Sequence, residues 1–150
     1  MTAEEQQKTD ERLMRLALVE AEAAERAGEV PIGAVVAFGD RVLARGHNLT
    51  ETLNDVTAHA EMQAITSAAN MLGGKYLRDC TLYVTVEPCP MCAGALGWAQ
   101  VSRVVYGAAD EKRGYRRFAP GVLHPKCTVT EGVLEEDCRL LMQHFFKKKR

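Results

Sequence analysis

The order of segments along the chain predicts an α/β fold, a sandwich of helices around a mixed sheet. Three observations carry that prediction. A long helical period opens the chain, and five short β-prone runs follow it, with further helical periods between and after them. Glycine or proline punctuates most of the junctions. At 150 residues the chain is expected to form one domain over residues 1–150, long enough to bury a proper core.

Taken in order, Glu4 to Ala27 has no internal Gly or Pro and puts Leu13, Leu16, Ala17, Ala24 and Ala27 near one face. Gly28 suits the position after its C-terminus, and Pro31 blocks continuation. Ile32 to Phe38 and Arg41 to Gly46 read as strands joined by Gly39-Asp40, a loop short enough for a hairpin. Gly33 inside the first strand predicts close backbone approach or a bulge. His47 to Val56 is polar and turn-rich, so it reads as a loop. His59 to Leu72 is the second helix, closed by Gly73-Gly74, and Thr81 to Val86 is a short strand buried on both faces. Pro90 to Ala99 is a third helix and Val101 to Tyr106 a fourth strand. Ala108 to Lys126 is irregular, Cys127 to Glu131 a last strand, and Val133 to Lys148 a last helix. Parallel crossovers are expected around the second and third helices.

Apolar and charged fractions of 47% and 26% are those of an ordinary globular chain. No apolar run approaches the roughly 20 residues that span a bilayer, so no membrane partner is expected. Met1 to Arg15 is rich in Glu, Gln and Lys, unlike a secretory signal. The five cysteines are an odd number and read as thiols or metal ligands. A cytoplasmic protein is expected. The net charge of −1 does not mark a nucleic-acid binder, although two basic clusters stand out. One is Lys112, Arg113, Arg116 and Arg117; the other is Lys147 to Arg150. Their simplest account is solvated surface and cations at a helix end.

The chemistry concentrates in Pro88-Cys89-Pro90-Met91-Cys92 and in His59-Ala60-Glu61. Cys89 precedes a proline, which disfavours helix there and suits an N-cap, with Pro90 at the first helical position. Cys92 then falls one turn on, so both sulfurs sit where the helix end favours thiolates, the metal-binding form. His59 falls at the start of its own helix. Alone, the cysteines admit a redox pair or a structural zinc site with Cys80 or His47 as a fourth ligand. The two thiolates and the imidazole would instead leave a tetrahedral Zn²⁺ one position for water, and a hydroxide there remains nucleophilic. Glu61 would then carry protons between that water, a ring nitrogen and departing ammonia. The histidine–x–glutamate pair followed by P-C-x-x-C is the zinc-deaminase combination.

Over nearly its whole length the chain resembles the cytidine-deaminase-like superfamily, and within it the bacterial tRNA-specific adenosine deaminases. The resemblance runs through Gly28 to Val35, Asn48, Thr57 to Glu61 and Leu82 to Ala95, then Gly107 to Gly114 and Thr130 to Leu134. It implies a three-layer α/β/α sandwich with a five-stranded mixed sheet, and a homodimer with one Zn²⁺ per subunit. It also implies hydrolytic conversion of the wobble adenosine of an arginine tRNA to inosine. His59, Cys89 and Cys92 match the family's zinc ligands and Glu61 its proton shuttle. Asn48 matches a base-contacting asparagine, Val30 and Ala58 match positions lining the base pocket, and Asp110 lies in the segment beside the flipped nucleotide's backbone. Three of them also have a plainer account: a turn for Asn48, core for Val30 and Ala58.

One departure stands out. After Gly114 the family carries small residues, whereas this chain has Tyr115-Arg116-Arg117-Phe118. Arginine and aromatic side chains suit a phosphate and an unstacked loop base, and solvated loop arginines are the simpler account. Two rival functions remain: a deaminase of free guanine or another free base or nucleotide, and a non-enzymatic zinc-stabilised binding module. Cys80, Cys127, Cys138, His124 and His144 read as buried thiols and ordinary polar histidines.

Overall fold

The computed structural model describes residues 1–149. Helix α1 (Ala3–Arg26) begins at Thr2, whose hydroxyl accepts the Glu5 N–H at 3.0 Å. Strands β1 (Gly33–Phe38) and β2 (Arg41–His47) form the expected hairpin, with Gly39 at φ +63° in its turn. Helix α2 (Ala60–Leu72) ends on Gly73 in the left-handed region. Strand β3 (Cys80–Val86), α3 (Pro90–Ala99) and β4 (Arg103–Ala108) follow, then a single turn of helix, α4 (Tyr115–Phe118). Strand β5 (Thr128–Glu131) and α5 (Glu135–Lys148) complete the fold. No helix among the described residues is long and apolar enough to cross a membrane. Arg150, the last residue of the basic C-terminal cluster, lies outside the described residues.

The sheet has five strands in the order β2-β1-β3-β4-β5. β1 is antiparallel to both neighbours, whereas β3–β4 and β4–β5 are parallel. The crossover through α2 therefore joins two parallel strands with β1 between them, and that through α3 joins adjacent ones. Side chains alternate between two helical layers, as the two-residue period of a strand requires. Ala34, Val36, Leu82, Val84 and Val104 pack on α2 and α3 through Ala64, Ala68 and Leu96. Val35, Ala37, Tyr83 and Val105 pack on α1 and α5 through Leu13, Met14, Ala17 and Cys138. This is the three-layer α/β/α sandwich with a five-stranded mixed sheet that the resemblance implies.

Gly33 marks close approach: a Cβ there would sit 2.0 Å from the Ala17 carbonyl oxygen of α1. The register shift of the hairpin falls instead between Val36 and Ala37. Three expectations need correction. Strand β4 starts at Arg103 and not Val101, because Gln100 takes a left-handed C-cap and the Val101 N–H closes α3 on Leu96. The stretch expected to be irregular contains α4. Ala27 is exposed, since α1 ends at Arg26, and the buried face of α1 includes Asp10, which hydrophobic periodicity could not pick out.

Asp10 joins the outer layer to the sheet. Its carboxylate accepts the Tyr83 hydroxyl at 2.7 Å and both guanidinium nitrogens of Arg103 at 2.8 and 2.7 Å. Burial alone would raise its pKa, but the Arg103 and Tyr83 hydrogen bonds outweigh it and hold the carboxyl below its ordinary value. Asp10→Ala is expected to destabilise the fold by about 3 kcal/mol in urea unfolding, because it strands a half-buried guanidinium. A depressed carboxyl contributes its stability above the unfolded pKa near 4 and loses it as pH falls through the native one. The gap between wild type and variant should therefore close in acid.

Candidate functional site

Two helix N-termini meet at the carboxyl end of β3. His59 (φ −73°, ψ 157°) caps α2 and Cys89 (φ −73°, ψ 168°) caps α3, both in extended backbone. Neither side chain bonds its own helix, which leaves the imidazole and the sulfur to face each other. Pro90 fixes the first helical position of α3, and Cys92 follows one turn on. His59 Nδ1 lies 3.6 Å from Cys89 Sγ and 3.4 Å from Cys92 Sγ. The three donor atoms lie within 4.8 Å of one another and could hold a metal ion.

The donor set fits zinc on its own chemistry: one imidazole and two sulfurs, with no fourth His, Cys, Asp or Glu in the group among the described residues. The two residues considered as a fourth ligand are engaged elsewhere. His47 Nδ1 lies 2.9 Å from Glu20, and Cys80 is buried in the core between the sheet and α2/α3. The hydrogen bond from Cys92 brings Cys89 down to about 4 and pushes Cys92 itself up, with burial adding to the rise. The contact with Cys89 raises His59. A divalent cation there would favour both sulfurs as thiolates, the form that binds.

Glu61, on the first turn of α2, is buried beside this trio. Burial pushes its carboxyl up to about 7, against the pull of its own backbone N–H, with the Cys89 charge adding to the rise. A carboxyl in that range both takes and gives protons near neutrality. Two surface hollows lie elsewhere. One of about 300 Å³ beside Arg78, Gln100 and Lys126 and one of about 570 Å³ between α1 and α5 include none of these four residues.

The remaining sequence-predicted residues fall into two groups. Asn48 is buried; its Nδ2 donates to the Val30 carbonyl at 3.4 Å and its Oδ1 accepts the Thr50 N–H at 3.2 Å. The next residue, Leu49, donates its N–H to the Ala58 carbonyl at 2.9 Å, so Val30, Asn48 and Ala58 meet next to His59. Asp110 lies on the other loop, where its carboxylate accepts the N–H groups of Lys112 and Arg113 at 3.1 and 3.0 Å.

Two buried glutamates that sequence reasoning passed over hold these loops. Glu29 accepts the Glu51 N–H at 3.0 Å, the Thr52 N–H at 2.6 Å and the Thr52 hydroxyl at 2.7 Å. Burial works against its charge, yet these bonds prevail and keep the carboxyl below the usual range. Glu87 accepts the Asp110 N–H at 3.0 Å and the Arg116 N–H at 3.2 Å, and pairs with the Arg116 guanidinium at 3.0 Å. A Cβ on Gly114 would overlap Glu87 Oε2 at 2.1 Å, so only glycine fits under that loop. A glutamate at a β-strand end just before a ligand motif was the available signal for Glu87. Nothing in the sequence alone distinguished Glu29.

The chain matches the MafB19-like deaminase family model over residues 8–150. It is 45% identical to a tRNA-specific adenosine deaminase of Bacillus subtilis, over 94% of this chain and 91% of that protein. It is 43% identical, over 95% of its length, to a chloroplastic tRNA(adenine(34)) deaminase of Arabidopsis thaliana, of which it spans 12%. A solved structure from studies of A-to-I editing by tRNA:A34 deaminases superposes with a TM-score of 0.81 at 44% identity, covering 87% of this chain and 98% of that one. A guanine deaminase of Nitrosomonas europaea gives the same TM-score of 0.81 at 27% identity, over 90% and 83% of the two chains, so backbone likeness alone does not separate the substrates. Identity of this order over nine tenths of both chains decides the kinship: the protein belongs to the tRNA-specific adenosine deaminase family.

Proposed function

We propose that this protein hydrolyses adenosine to inosine at the wobble position of an arginine tRNA, in the cytoplasm, with one Zn²⁺ per subunit held by His59, Cys89 and Cys92. The observation that carries this reading is a buried carboxylate beside a three-donor metal cluster, in a chain 45% identical to a tRNA-specific adenosine deaminase. A zinc ion bound there supplies Lewis acidity, which brings the pKa of a water close to neutrality. Glu61 accepts a proton from the attacking water and delivers it to the purine N1. It then carries the second proton to the amino group at C6, so that ammonia leaves and the ring keeps the oxygen. Asn48 keeps one N–H and one lone pair beyond the two bonds that orient it, enough to address a purine edge. Val30 and Ala58 wall the base, and Asp110 shapes the loop along the nucleotide's backbone.

We further propose a homodimer formed through α3. That helix is apolar nearly all round, yet Met91 is 37% and Trp98 85% exposed, one face of it left without a cover in the single chain.

The deciding assay incubates the protein with an arginine tRNA anticodon stem-loop and, separately, with free guanine, adenosine and cytidine. Inosine should appear at the wobble position; guanine turnover with the RNA unchanged would overturn the reading. Glu61→Ala should keep its zinc by elemental analysis while deamination falls by at least about 100-fold. Cys89→Ser should weaken zinc binding by more than about 100-fold in chelator competition, since even the partners of metal ligands contribute that much. Trp98→Glu should shift the molar mass by light scattering from dimer to monomer.

A further inference from the structure

The loop that departs from the family separates its two arginines. Arg116 is fully engaged: its guanidinium pairs with Glu87 and Glu131 at 3.0 Å each and lies 5.4 Å from the Tyr106 ring centroid. Among the described residues Arg117 makes no such ion pair. It donates to the Glu111 carbonyl at 3.3 Å and sets its guanidinium 5.3 Å from the centroid of Phe118, whose side chain stays 61% exposed. The Tyr115 N–H donates to the Pro88 carbonyl at 2.9 Å, which ties the start of α4 to the residue before Cys89. Phe118 lies three residues on, about 4.5 Å further along the helix axis. Lys112 and Arg113 extend exposed from the same loop.

An exposed ring with a cation on it, bordered by further cations and tied to a metal-ligand segment, fits one kind of partner. Phenyl faces stack unpaired bases, guanidinium groups reinforce such stacks, and the surrounding cations match a phosphate backbone. We propose that Phe118, braced by Arg117, is a stacking platform for an unpaired base adjoining the target adenosine, and so a specificity-determining residue. The proposal rests on the RNA reading given above.

The test uses a synthetic arginine tRNA anticodon stem-loop with 2-aminopurine at either neighbour of the wobble position, titrated into the zinc-loaded protein. Stacking on an aromatic ring changes the fluorescence of that base, which a merely structural role for Phe118 would leave unaltered. Wild type should bind with a fluorescence change at one of the two positions. Phe118→Ala should lose that change and bind about 5- to 100-fold more weakly, with zinc content and circular dichroism unaltered. Phe118→Tyr should restore both affinity and signal. Equal affinity and signal in wild type and Phe118→Ala, in a protein that still deaminates the stem-loop, would overturn the platform alone. A wild-type protein that neither binds nor deaminates the stem-loop would overturn the RNA reading and the platform with it.

Discussion

Buried carboxylates accepting backbone N–H groups hold together the parts of this protein that have no regular structure. Glu29 fastens the loop that leads to His59, and Glu87 fastens the loop that carries Asp110 and the two arginines. Both loops are rich in polar residues, and of the second Tyr115 reaches the apolar core. A charged acceptor forms stronger hydrogen bonds than a neutral one, and each glutamate answers several donors at once. The backbone amides are thereby satisfied without a helix or a strand. Asp10, on the opposite face, accepts side-chain donors instead and joins α1 to β3 and β4 through Tyr83 and Arg103.

With the loops fixed, the geometry of the three-donor cluster follows from helix termini. The α2 and α3 crossovers leave the same end of the sheet, so their first turns meet there. Capping residues are usually chosen to bond the free N–H groups of the helix. Here the caps are His59 and Cys89, which do not, and their side chains serve the shared cluster instead. The local cost in helix stability is offset by the packing of both helices into one core with Leu82, Val84 and Leu96. The helix-end charge that favours thiolate also favours the cluster. Glu61 belongs to the same first turn and is buried by the same packing, which sets both its position and its raised pKa.

The departing loop follows the same logic. Arg116 extends the reach of Glu87 and ties α4 to β5 through Glu131, so bulk and charge in this run are absorbed by structure. Arg117 and Phe118, one and two residues further on, are turned outwards. A sequence rich in arginine and aromatic residues thus contains both a clamp and an exposed face.

Much of this was legible in the sequence. Periodicity and glycine or proline punctuation gave every main helix and strand to within a few residues, because these signals act locally. The three-donor cluster and Glu61 were equally visible as candidates, since their spacing around Pro90 and the start of α2 is itself the geometry of a helix terminus. What lay outside reach were the contacts between distant segments. Asp10 looked like one more solvated acid on α1, and Glu29 and Glu87 like ordinary loop residues, because a buried carboxylate is defined by donors far along the chain. Arg116 and Arg117 are neighbours of the same type, and only the placement of Glu87, Glu131 and Tyr106 makes one a clamp and leaves the other beside an open ring. The sequence by itself determined the elements and the donor set of the candidate metal cluster, which depend on short-range spacing; the tertiary structure decided which charges are buried, because burial depends on what else folds against them.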